Sequence, residues 1–73
     1  MRELGRVLHF SKNRNLIVRA QVPPQIGETV TDEKHQKVGV VKDVFGPIMK
    51  PYVSIKPEVR RPERYVGETL YLS

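Results

Sequence analysis

Val38-Gly39-Val40-Val41-Lys42-Asp43-Val44-Phe45-Gly46-Pro47-Ile48-Met49-Lys50-Pro51-Tyr52-Val53-Ser54-Ile55 is the stretch whose reading decides the fold. Two runs rich in β-branched residues read as strands. The link between them carries Gly46, Pro47 and Pro51 and must turn the chain, because proline fixes φ and has no N–H for a ladder. Val41 and Val44 cannot both face inward in a regular strand, so a β-bulge is expected near Lys42-Asp43. Either Val44 or Phe45 then fills the core, and the other points outward. Phe45, Ile48, Met49 and Tyr52 make this corner apolar. Such a corner is either buried by its own fold or kept for a partner.

Outward from this stretch, residues 4–10 alternate loosely, with Leu4, Arg6, Leu8 and Phe10 on one parity and Gly5, Val7 and His9 on the other. Ser11-Lys12-Asn13-Arg14-Asn15 is a polar turn. Residues 16–20 place Leu16, Val18 and Ala20 on one face, and pair with the first strand as a hairpin. Pro23-Pro24 breaks the pattern and favours an extended crossing segment. Residues 26–30 read as a short third strand and 37–45 as the longest. Residues 51–55 oppose Val53 and Ile55 to Tyr52 and Ser54. The arm over residues 57–64 is charged and irregular, with one helical turn permitted at Pro62-Glu63-Arg64-Tyr65. Residues 68–73 end the chain as a strand carrying Leu70 and Leu72. No sustained helical stripe appears. The expectation is a single all-β domain over residues 1–73, a small six-stranded closed barrel, since closure removes sheet edges.

The 73 residues bury only a modest core, about 60% of the unfolded surface. Cysteine is absent, which fits a reducing compartment and removes thiolate nucleophiles and ligands together. No apolar run approaches the ~20 residues of a membrane helix. The start, Met1-Arg2-Glu3-Leu4-Gly5-Arg6, lacks the apolar core of a signal peptide. A soluble intracellular protein is expected. Thirteen Lys and Arg against eight acids give a formal charge of +5, a balance that suits nucleic acid or an acidic protein surface.

Catalytic patterns are missing. The two histidines, His9 and His35, have no metal-ligand spacing. Asp32-Glu33 is the only adjacent carboxylate pair and reads as part of a solvated turn. Ser54 has no glycine elbow, and the glycines are too scattered to cradle a phosphate. The expectation is no enzyme, no metal, no cofactor and no small-molecule substrate. Arg2, Arg6, Lys12, Arg14 and Arg19 load the first third with positive charge and are candidate RNA contacts over phosphates. Lys56, Arg60, Arg61 and Arg64 are diluted by Glu58 and Glu63 and read as a solvated face. Aromatics are too few for an obvious stacking platform.

Val38-Gly39-x-Val41-x-Asp43-Val44-Phe45-Gly46-Pro47 followed by Pro51-Tyr52-Val53-Ser54-Ile55 resembles the core domain of the glycine-arginine-rich subunit of box H/ACA ribonucleoproteins, in its archaeal form. Leu4-Gly5-x-Val7-Leu8-His9, Asn15-Leu16-Ile17-Val18-Arg19-Ala20, Pro24-x-Ile26-Gly27-x-x-Val30 and Val66-Gly67-x-x-Leu70-Tyr71 extend the likeness over nearly the whole chain. The Phe-Gly-Pro…Pro-Tyr-Val block is its most specific part.

The resemblance implies a barrel similar to the second domain of translation elongation factors. It also implies a non-catalytic subunit that docks on a dyskerin-type pseudouridine synthase. There it would promote substrate loading and product release in RNA-guided pseudouridylation of rRNA, a step of ribosome biogenesis. Guide and substrate RNA would be engaged mainly indirectly. The expected synthase contacts are Val44, Phe45, Gly46, Pro47, Ile48, Pro51 and Tyr52. The glycine-arginine-rich tails of eukaryotic members are absent here, which points to an archaeal cytoplasm; the nucleolus would be the eukaryotic location. The alternative is a free-standing basic RNA-binding barrel.

Overall fold

The structure, a computed structural model, describes residues 2–73. The chain runs β1 (Arg2–Phe10), β2 (Leu16–Ala20), β3 (Thr29–Thr31), β4 (Lys37–Phe45), β5 (Tyr52–Pro57), a single 3-10 turn (Pro62–Tyr65) and β6 (Thr69–Leu72). The strands close into a barrel in the order β1-β2-β5-β4-β3-β6, and β6 pairs back onto β1. Every pairing is antiparallel.

Alternation decides what fills the barrel. Leu16, Val18 and Ala20 of β2, Val53 and Ile55 of β5, and Leu70 and Leu72 of β6 are buried as their parity requires. Burying side chains of this size contributes about 1.5–3 kcal/mol each for the larger aliphatics. The expected bulge is present: the β4–β5 register shifts between Val41 and Asp43. It lets Val41 sit fully inside while Val44 still packs partly buried against the core. Phe45 is the member of the pair that points out.

β1 departs from simple alternation. Its register shifts between Glu3 and Gly5 against β6, and between Val7 and His9 against β2. These shifts bury both Leu4 and Val7, on opposite parities, and leave Leu8 45% exposed. Gly5 occupies a point of close approach: a Cβ there would lie 2.1 Å from the Arg19 carbonyl oxygen, and its φ is +154°. No larger residue fits without moving the strand.

The third strand is shorter and later than its sequence suggests. Ile26-Gly27 is a turn, with Ile26 69% exposed, and the strand begins at Thr29. The turn is tied to β4 by Gly27 N–H to the Val41 carbonyl at 2.8 Å and Val41 N–H to the Glu28 carbonyl at 3.0 Å.

The Asp32-Glu33 pair also needs correction. Glu33 is exposed, but Asp32 is buried and organises the β3–β4 turn. Its Oδ1 accepts the N–H groups of Lys34 and Gln36 at 2.9 and 3.0 Å. Its Oδ2 accepts the Tyr65 hydroxyl at 3.0 Å. Pro62 starts the 3-10 turn, as its preset φ favours, and Pro62 and Tyr65 are its buried residues. Tyr65 thus closes one side of the barrel and bolts a distant turn to it.

Candidate functional site

The β4–β5 corner stands away from the core. Ile48 is 90% and Met49 83% exposed, and Phe45 is 45% exposed. Gly46 and Pro47 are exposed beside them, while Val44 and Tyr52 are half-buried. Pro51 is buried and offers no surface; its carbonyl accepts the Ala20 N–H at 2.8 Å and anchors the corner to β2. Of the seven residues expected at a synthase contact, Pro51 therefore supports the corner from beneath, and the others lie on or at its edge.

The corner is braced from behind. Phe45 and Tyr52 are direct cross-strand partners. Their rings stack with centroids 5.8 Å apart and planes at 24°, an offset arrangement that aromatic pairs favour. Arg19 is the β2 partner of Tyr52. Its guanidinium lies 4.9 Å from the Tyr52 ring centroid, and its Nη1–H donates to the Tyr52 hydroxyl at 3.0 Å. The Arg19 Nε is buried without a hydrogen-bond partner, and the cation–π contact is its evident compensation. Gly46 has φ +88°, and a Cβ there would meet Tyr52 Cδ2 at 2.9 Å. The turn needs glycine for both its backbone and its space.

Registers align Arg6, Arg19, Tyr52 and Phe45 in one row across β1, β2, β5 and β4. This row was hidden in the sequence, where Arg19 reads as a phosphate contact rather than as a cover for Tyr52. The signal lay in strand pairing: Arg19, one residue from the end of β2, faces Tyr52, the first residue of β5.

The five basic residues of the first third do not form one patch. Arg2 pairs with Glu28 at 3.0 Å. Arg6 Nε–H donates to the Gly67 carbonyl at 3.0 Å. Arg19 is committed to Tyr52. Lys12 and Arg14 lie in the β1–β2 turn at the far end of the barrel, where Arg14 stands 5.6 Å from the Phe10 ring centroid. Such an arrangement cannot follow a single phosphate strand as the sequence order suggests.

Among the described residues, Asp32 and Tyr65 are the titratable groups that the fold moves from their ordinary values. Burial alone would push the Asp32 carboxyl up. The Gln36 N–H, the Tyr65 hydroxyl, and the Lys34 N–H and charge outweigh it and hold the carboxyl below its usual 3.8. Burial, then donation to Asp32 and that carboxylate's charge, raise the Tyr65 phenol above its usual 10.0, with Arg64 opposing. The pair is satisfied internally, which suits a structural role. Among the described residues no group of three or more His, Asp or Glu could hold a metal, and no helix is long and apolar enough to cross a membrane.

The chain is 40% identical over 76 residues to an uncharacterised protein of Methanothermobacter thermautotrophicus, covering 99% of this chain and 83% of that relative. It is 41% identical over 51 residues to an uncharacterised protein of Methanocaldococcus jannaschii, covering 70% of this chain and 62% of that relative. The family described as the Gar1/Naf1 RNA binding region matches residues 1–73. That family is one of RNA binding rather than catalysis. With its closed six-stranded barrel and a match from end to end, this chain belongs to the Gar1/Naf1 RNA-binding-region family.

Proposed function

We propose that this protein is the non-catalytic subunit of an H/ACA guide ribonucleoprotein in an archaeal cytoplasm, docking through its β4–β5 corner on a dyskerin-type pseudouridine synthase. The observation that carries the reading is the pairing of an exposed apolar tip, Ile48 and Met49, with a braced base, Phe45 on Tyr52 under Arg19. An apolar group on a stiff support binds with little ordering penalty. The family match supplies the ribonucleoprotein context.

Docking there promotes turnover by favouring one position of a synthase loop over another. A contact can shift such an equilibrium only if it binds one position better, and about 1.4 kcal/mol of difference changes it tenfold. Substrate loading and product release are the steps a loop governs. Adding the protein to a guide-loaded synthase therefore raises the multiple-turnover rate more than the single-turnover rate. Equal effects on both would place its action on the chemical step and overturn this reading. The free-standing RNA-binding alternative, as built on Arg2, Arg6, Lys12, Arg14 and Arg19, lacks a shared surface, since three of these are engaged elsewhere.

A further inference from the structure

A second surface lies at the other end of the barrel. Arg14, Lys42 and Lys56 line one open depression together with Asn13, Asn15 and Val59. Val59 also lines the adjoining one, with Arg60, Arg61 and Arg64. Six cations from the β1–β2 turn, β4, β5, the following arm and the 3-10 turn thus share a continuous belt. No carboxylate lines either depression; Arg64, at the end of the belt, also lines a third one with Asp32, Glu33 and Glu68.

The acids nearest this belt in sequence are Asp43, Glu58 and Glu63, and Asp43 Oδ1 accepts the Val44 N–H at 2.8 Å. Glu58 pairs with Lys37 at 3.2 Å. Glu63 is exposed and makes no ion pair among the described residues. None of the six cations has an ion-pair partner among the described residues. Two are held in place by rings: Arg14 over Phe10, and Arg64 over Tyr65 at 5.3 Å. Sequence order divides these residues between two groups and rates the second as solvated; the fold joins Arg14 to that second group and adds Lys42.

We propose that this belt binds the phosphate backbone of duplex RNA, without reading its sequence. Like charges gathered with few counter-charges are the footprint of phosphate binding. The belt presents no free aromatic face: Phe10 lies under Arg14, and Tyr65 is buried. Base stacking, which single-strand binders use, is therefore unavailable there. Contact with backbone and shape remains, which is how duplex RNA is held.

The belt and the docking corner do not overlap. Tyr52 marks one end of β5 and Lys56 lies near the other, about 13 Å apart at ~3.3 Å per residue. The β1–β2 turn is on the Lys56 side, because Leu16 pairs with Ile55 while Arg19 pairs with Tyr52. One protein can hold a partner by the corner and RNA by the belt. The inference is independent of the docking reading, since it is measured on the isolated protein.

The test is fluorescence anisotropy of the whole protein with a 20-base-pair RNA duplex across a salt series, with polyglutamate as competitor. The expected result is binding that weakens linearly in log affinity against log salt. The triple variant Lys42→Gln/Lys56→Gln/Arg61→Gln should bind at least tenfold more weakly, with a salt slope shallower by about 3, and each single change should flatten it by about 1. Arg2→Gln/Arg6→Gln/Lys50→Gln, which carries the same formal charge, should change affinity far less. Equal losses in both triple variants, an absence of duplex binding by the parent, or polyglutamate competing as well as RNA would each overturn the proposal. The last outcome would indicate an acidic protein as the occupant. The substituted side chains are all exposed and none belongs to the core, and the single variants keep the test valid should the triple prove less stable.

Discussion

Phe45 stacks on Tyr52 across β4 and β5, at the two strand ends that the corner carrying Ile48 and Met49 joins. The stack works only because residue 46 has no side chain. A methyl group at Gly46 would strike Tyr52 Cδ2, on a backbone with φ +88°. Gly46→Ala should lower stability by about 1–3 kcal/mol, the usual penalty for forcing a side chain into such a region. Urea unfolding measures it. A loss under 0.3 kcal/mol would mean the ring yields freely and the corner is not stiff.

The Asp32–Tyr65 bond predicts how stability follows pH. Asp32 titrates lower when folded, so its contribution is complete above about pH 3.8 and is lost as pH falls through the lower folded value. Tyr65 titrates higher when folded, so its contribution is complete below about pH 10.0 and is lost as pH rises through the higher folded value. Asp32→Asn should destabilise at neutral pH and flatten the acid limb. A stability profile unchanged in acid would remove Asp32 from this role.

Tyr65→Phe leaves the ring in place and deletes one hydrogen bond to a buried carboxylate. The expected loss is about 1.5–3 kcal/mol. A double-mutant cycle with Asp32→Asn should show the two losses to be strongly non-additive. Additive losses would show that the bond contributes nothing of its own.

Leu16 is fully buried and pairs with both Phe10 and Ile55. Leu16→Ala should cost about 2–5 kcal/mol, a large share of what a chain of this size has. Thermal unfolding with a melting temperature close to the parent's would show that the barrel refills the space.

Much of the architecture was legible in the sequence because burial imposes a two-residue period. Leu16, Val18 and Ala20, Val53 and Ile55, and Leu70 and Leu72 show it, and the Val41–Val44 slip announced the bulge. β1 was harder, since two register shifts bury Leu4 and Val7 on opposite parities and expose Leu8. The third strand was displaced because Ile26 looks like a core residue but occupies a turn. Asp32 looked solvated because its partner, Tyr65, is far along the chain. The apolar corner was visible as a composition oddity. Its brace was not, because Arg19 and Tyr52 meet only through strand pairing. Lys56, Arg60, Arg61 and Arg64 of the basic belt stood together in the sequence, but Arg14 and Lys42 join them only in the fold.

The most direct test of the account is calorimetric titration of the Ile48→Glu variant against the pseudouridine synthase. Ile48 is 90% exposed in the free protein, so the change should leave unfolding stability within about 0.5 kcal/mol. Burying its charge in an apolar contact should weaken synthase binding at least tenfold, or about 1.4 kcal/mol. An affinity equal to the parent's, with the fold intact, would contradict docking through the β4–β5 corner.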